Sequence, residues 1–184
     1  MGIQVILVSG RSGVGKTSVA NEISEQLRNR NSPHAHIDGD NLDMICPEEE
    51  GSDLMLSNLA AMWGNYYSKR GCKKLILSGT AMVLEHEVIR ETLERVMRDS
   101  TQPTSPDDAT VDIKGFILTS PDDVIKDRLK RREIGSLLEQ HLHRSQKMAA
   151  VLENEVGDWA CCVPTDGRTV QDIAMEVLVR AQWR

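Results

Sequence analysis

Aromatic side chains are nearly missing from this chain: one Phe, two Tyr and three Trp make up 3% of 184 residues. The core must therefore be built from Leu, Ile, Val, Met and Ala, and few rings are on hand to stack on a base. The four cysteines, Cys46, Cys72, Cys161 and Cys162, form no C-x-x-C pair and have no histidines at zinc-finger spacing. That excludes a disulfide scaffold and a structural zinc site. Basic residues are outnumbered, 22 Lys and Arg against 28 Asp and Glu, giving a net charge of -6 and a pI near 5.4. General affinity for nucleic acid or an anionic membrane rests on clustered Lys and Arg, so neither is expected as a partner. The opening MGIQVILVSG has no basic leader, no long apolar stretch and Ile6 where myristoylation wants Ser or Thr, so the expected location is the cytoplasm.

What is present is ordinary globular usage, 40% hydrophobic and 27% charged, over a length that predicts one domain, residues 1–184. No internal repeat is evident. Residues 3–9, IQVILVS, are a β-branched apolar run suited to a strand buried on both faces. Val19, Ile23 and Leu27 then recur every fourth residue and predict an amphipathic helix over 17–29. The alternation continues with a strand near 34–38, a helix at 54–69 with an inward stripe of Met55, Leu59, Met62 and Tyr66, and a strand at 74–78. A polar helix follows near 85–98, then a Pro-, Ser-, Thr- and Asp-rich segment at 99–110 that reads as a mobile surface loop. After a strand at 111–118, Ser120, Pro121 and Asp123 fit the N-cap, N1 and N3 positions of a helix to about 132. A helix at 136–153, a strand at 159–163 and a helix at 169–181 complete the pattern. Five strands alternating with helices predict an α/β, three-layer fold, a parallel sheet covered by helices on both faces.

Gly10, Arg11, Ser12, Gly13, Val14, Gly15, Lys16 and Thr17 match G-x-x-x-x-G-K-[ST], between the first strand and the first helix. Glycines let successive backbone N–H groups turn inward on phosphate oxygens, and the helix N-terminus, through Thr17 and Ser18, adds its positive dipole end. Lys16 is expected to neutralise charge on the β- and γ-phosphates, and Thr17 to offer its hydroxyl to Mg²⁺. A chance match arises in roughly one chain of this length in a hundred or fewer, so ATP and Mg²⁺ are the expected cofactors.

The rest of the chain separates the kinds of phosphate-loop protein. The strand LILSGT ends in Ser78 and Gly79 rather than the acid of a motor ATPase, and no Asn-Lys-x-Asp guanine-reading motif occurs. Asp38, Gly39, Asp40 and Asn41 instead close the second strand, beside the phosphate loop if the strands are ordered 2-3-1-4-5. We assign Asp38 to the metal and Asp40 to the proton of an attacking hydroxyl, with the reversed assignment as the alternative. Arg128, Lys130, Arg131 and Arg132 end the fourth helix just before Gly135, where a lid over about 128–145 would exclude water and bring guanidinium groups to the transferring oxygens. Gly79, Thr80 and Glu85, with Trp63, Asn65 and Tyr66, form a weaker set facing the acceptor. Cys161 and Cys162 are expected to be buried, and His34 and His36 to pack within a strand.

At these residues the chain resembles the small P-loop kinases of the gluconate kinase, shikimate kinase and adenylylsulfate kinase group, over nearly its whole length. IDGDN at 37–41 is similar to the D-G-D segment of gluconate and adenylylsulfate kinases, and residues 127–153 are similar to the gluconate kinase lid helix. The resemblance implies the five-stranded P-loop fold, Arg128 near adenine and Arg131 or Arg132 near phosphate. TDGRTVQDIAMEVL and NLAAMWGNYYSKRG resemble uncharacterised kinase-like ATP-binding proteins of actinobacterial type. Gly79, Thr80, Ala81, Met82 and Val83 replace the Ser-Ala-Leu-Lys of gluconate kinases and the Gly-Gly-Gly of shikimate kinases, which leaves the acceptor unassigned. The expected activity is transfer of the γ-phosphoryl group of ATP to a hydroxyl of a small metabolite. The alternatives are a nucleotide-sensing module without turnover and a nucleoside or nucleotide kinase; a homodimer is compatible with each.

Overall fold

The computed structural model describes residues 2–47, 50–100, 110–132 and 138–183. The apolar run at the start forms β1 (Ile3–Ser9), whose Ile3, Val5, Ile6, Leu7 and Val8 are all buried. A strand covered on both faces lies in the middle of a parallel sheet, and β1 is flanked by β3 (Lys74–Ser78) and β4 (Val111–Thr119). The edges are β2 (Ala35–Asp38), against β3, and β5 (Cys161–Pro164), against β4. Every pairing is parallel and the order is β2-β3-β1-β4-β5, as the sequence predicts. Parallel strands put all their carboxyl ends on one rim, so Ser9, Asp38, Ser78, Thr119 and Pro164 share it.

Alternate residues of β1 feed two separate cores. Val5 and Leu7 pack with Leu59, Trp63, Leu93 and Leu152 of α2 (Asp53–Arg70), α3 (His86–Ser100) and α5 (Leu138–Glu155). Ile6 and Val8 pack with Ile23, Leu27, Leu129 and Val177 of α1 (Lys16–Asn29), α4 (Asp122–Arg132) and α6 (Val170–Ala181). α5 reaches both cores, with Leu142 packed on the α4 side of the sheet and Leu152 on the other.

Three local expectations are corrected. The inward stripe of α2 runs through Met55, Leu59 and Trp63, with Tyr66 half-buried against the same core as expected, while Met62 is 37% exposed. The i, i+4 step from Leu59 selects Trp63, the largest side chain available in this aromatic-poor core. Ser120 does not cap α4: the helix starts at Asp122 and the Ser120 hydroxyl is buried without a hydrogen-bond partner. Cys161 and Cys162 are both exposed, because β5 is a four-residue edge strand in which only Val163 turns into the core. The lid residues 133–137 and most of the expected surface loop, 101–109, lie outside the described residues. Among the described residues no helix is long and apolar enough to cross a membrane.

Candidate active site

The chain leaves β1 and turns back on itself at Gly10, Gly13 and Gly15, all at positive φ. A side chain is excluded at Gly10, where a Cβ would lie 2.7 Å from the Leu118 carbonyl oxygen. Gly15, at φ 105°, faces open space instead. It is also the N-cap of α1 and brings no side chain to bond the first-turn amides, and that turn contains no acid. Amides at the head of a fourteen-residue helix, uncapped and without a nearby carboxylate in the turn, form an anion-binding concavity.

Lys16 and Thr17 open the helix, and β2 delivers the two aspartates to them. Thr17 Oγ1 donates to Asp38 Oδ2 at 3.3 Å, and Lys16 Nζ lies 3.7 Å from Asp40 Oδ2. The short 3₁₀ turn Gly39–Asn41 that separates the carboxylates starts where Asp38 Oδ1 accepts the Asp40 amide at 3.2 Å. Asp40 is gripped from the end of β3 as well. Thr80 donates its amide to Oδ1 at 2.6 Å and its hydroxyl to Oδ2 at 3.0 Å. Gly79 permits this approach, since a Cβ there would lie 3.2 Å from Asp40 Oδ1 and 2.9 Å from Met82 Cγ.

The Thr17 hydroxyl and the Asp38 carboxylate are adjacent hard oxygen donors, and the described residues contain no cluster of three or more His, Cys, Asp or Glu able to hold a metal alone. That donor set fits Mg²⁺, which takes one or two protein oxygens and fills its remaining positions with phosphate and water.

These residues line a cleft of about 670 Å³ that runs along the rim from Asp38, Asp40, Asn41 and Met44 at the β2 edge to Thr165 and Arg168 at the β5 edge. Arg128 reaches it from α4, donating to the Val14 carbonyl and to Thr165 Oγ1, both at 3.2 Å. Arg11 takes a different course. Its buried guanidinium leaves the cleft, pairs with Asp122 and donates to the Ser120 carbonyl at 2.7 Å, so only its backbone stays with the loop. Ser145 of α5 donates to the Ser12 carbonyl at 3.1 Å. The phosphate loop is therefore tied to both α4 and α5.

Arg131 is exposed at the end of α4 and is not among the residues lining the cleft; the Arg132 side chain lies outside the described residues. Of the weaker acceptor set, Thr80 adjoins Asp40, Trp63 is in the core, and Asn65 is exposed and bonds the Ala61 carbonyl of its own helix. His34 bonds Ser24 at 2.7 Å and His36 bonds Ser78 at 3.3 Å, anchoring β2 between α1 and β3. Burial holds the His36 imidazole below its ordinary range, partly opposed by Asp38 and reinforced by His34.

Sequence reasoning missed Thr165 and Arg168. The signal was the turn-rich TDGR at 165–168, which follows β5 on the rim that carries the phosphate loop.

A sequence model of the adenylylsulphate kinase family matches residues 2–50, the stretch that holds β1, the phosphate loop, α1 and the two aspartates. No curated protein matches the chain. Among solved structures, a gluconokinase from Sinorhizobium meliloti superposes with a TM-score of 0.61 at 16% identity, over 98% of this chain and 91% of that one. The fold is that of the small P-loop kinases. A shikimate kinase from Acinetobacter baumannii, solved with shikimate, has a TM-score of 0.57 at 16% identity, over 100% of this chain and 97% of its own. The adenylylsulfate kinase of Mycobacterium tuberculosis, solved with AMPPNP and APS, has a TM-score of 0.55 at 19% identity, over 100% and 99%. The P-loop kinase fold thus spans the whole chain, although the sequence match is confined to its first quarter.

Proposed function

We propose that the protein is a Mg-ATP-dependent phosphotransferase that moves the γ-phosphoryl group to a hydroxyl of a small molecule. The observation that carries this reading is Asp40, a carboxylate 3.7 Å from the phosphate-loop lysine and fixed by two donors from Thr80 on the acceptor side of the cleft. A hydrolase has no need of a base held toward a second compartment, whereas a kinase needs one where a hydroxyl enters.

In this reading the amides at the head of α1 and Lys16 would hold the triphosphate, and Thr17 with Asp38 would hold Mg²⁺. When bound, the ion supplies charge neutralisation between the β- and γ-phosphates. Arg128, Thr165 and Arg168 face the nucleoside end at the β5 edge. Asp40 accepts the proton as the acceptor oxygen bonds to the γ-phosphorus, the bond from that phosphorus to the bridging oxygen breaks, and ADP leaves. Arg131 and Arg132 are assigned to the closed lid, where their charge would meet the transferring oxygens. Small-molecule acceptance fits the cleft volume of about 670 Å³, within the usual range for ligand sites.

The test is incubation of the purified protein with ATP, Mg²⁺ and a pooled metabolite extract, read by mass spectrometry. Acceptors gaining one phosphoryl group, with matching ADP release, are the expected result. Saturable ATP binding without any such product would reject the reading in favour of a nucleotide sensor.

A further inference from the structure

The ladder between β2 and β3 ends at Asp38 and Ser78, yet the two loops that leave these strands carry groups that must stay together. One bears Asp40, and the other the Thr80 amide and hydroxyl that grip it. Each loop departs through a glycine, Gly39 or Gly79, and neither is at positive φ. Backbone conformation therefore does not call for glycine at either position, whereas space does. A Cβ on Gly39 would stand 2.6 Å from Met82 Sδ and 3.1 Å from its Cε, and a Cβ on Gly79 would stand 2.9 Å from Met82 Cγ and 3.1 Å from Cε. One thioether side chain fills the room that both glycines leave.

We infer that Met82 is a positioning residue for the base: it packs the loop after β2 against the loop after β3 and so fixes Asp40 within reach of Lys16. The inference rests on the kinase reading and concerns the placement of its base. Met82 is buried and does not line the cleft, so it acts through Asp40 and not by touching a substrate. The turn that carries it is anchored to β1. The Val83 amide donates to the buried Ser9 hydroxyl at 3.0 Å, and the Gly79 amide donates to the Val8 carbonyl at 3.0 Å. Ser9 is the last residue before the phosphate loop, so Met82 and that loop are referred to the same strand end. The Thr80 bonds grip the carboxylate at its tip, and Met82 backs the main chain that bears it. An unbranched side chain with three rotatable bonds suits a gap shared by two bends. A base displaced by about 1 Å costs up to about 10²-fold in rate, while the amides at the head of α1 and the β5 end of the cleft make no use of Met82.

The experiment follows labelled products formed by the intact chain from Mg²⁺, a pooled metabolite extract and ATP labelled in the γ-phosphate, beside calorimetric affinity for a non-hydrolysable ATP analogue. Met82→Ala is expected to lower the product rate about tenfold or more at unchanged analogue affinity, and Met82→Leu, which nearly keeps the volume, to recover most of it. Gly39→Ala adds a methyl group against the thioether without emptying the core, and is expected to slow transfer in the same way. Combined with Met82→Ala, which makes room for the methyl, it should add little further loss. Gly39→Ala decides the matter by the same comparison if Met82→Ala does not fold. Product rates that stay at the wild-type level in these variants, or that fall only in step with analogue affinity, would overturn the inference and leave the kinase reading standing. No labelled product from wild type would overturn the kinase reading, and the inference with it.

Discussion

Asp40 carries more of the account than any other side chain, because its two oxygens meet Lys16 and both donors of Thr80. Asp40→Asn keeps the shape and removes the base. It is expected to lower phosphoryl transfer by about 10²-fold or more while calorimetric nucleotide affinity stays near wild type. If Asp38→Asn shows that pattern instead, the two roles are exchanged. Thr80→Val deletes one hydrogen bond to a carboxylate, worth roughly 1.5–3 kcal/mol, and should cut the turnover rate about tenfold with Thr80→Ser restoring it; an unchanged rate would remove Thr80 from the site. His36 makes a separate claim on stability. Its folded-state pKa lies below the unfolded value, since burial disfavours the imidazolium. Its contribution is therefore full above an unfolded pKa of about 6.5 and is lost progressively as pH falls from there through the lower folded-state pKa. Melting curves from about pH 7.5 to about pH 5.5 should show a smaller acid loss for His36→Asn than for wild type, and an equal loss would contradict the assignment. At this scale the phosphate-loop residues were legible because their spacing is itself the chemistry. Thr165 and Arg168 were not, because the TDGR turn after β5 counts as part of the site only once the sheet places it on the rim that carries the phosphate loop.

Elements follow from local rules where burial is two-sided or a cap is formed, and depart from them elsewhere. Thr169 caps α6 reciprocally: its hydroxyl accepts from the Asp172 amide at 3.1 Å and donates to the Asp172 carboxylate at 2.7 Å. Thr169→Ala should cost about 1 kcal/mol, a fall in melting temperature of roughly 2–4 °C for a chain of this size, with no change in nucleotide affinity. A loss of affinity as well would mean that α6 shapes the β5 end of the cleft more directly than its bonds suggest. The three interior strands were readable as apolar runs. Ser120 was misread because its hydroxyl turns inward at a loop whose other bonds go to Arg11, a tertiary contact that no cap pattern encodes. The cysteines of β5 were misread because edge position is a property of the whole sheet.

For the molecule as a whole, alternating strands and helices together with the phosphate loop made the three-layer parallel fold legible, while the order β2-β3-β1-β4-β5 came with the resemblance to the small P-loop kinases. The packing of Met82 against the loops after β2 and β3 could be seen only once that order was in place. All of these functional assignments depend on the loop after β1 holding a nucleoside triphosphate. The most direct measurement is isothermal titration of the protein with a non-hydrolysable ATP analogue in excess Mg²⁺, run in parallel on Lys16→Ala. One-site saturable binding by wild type, weakened about tenfold or more in the variant, where about 1.4 kcal/mol is one decade, is the expected result. Absence of saturation with wild type, or equal affinity in both proteins, would contradict the account.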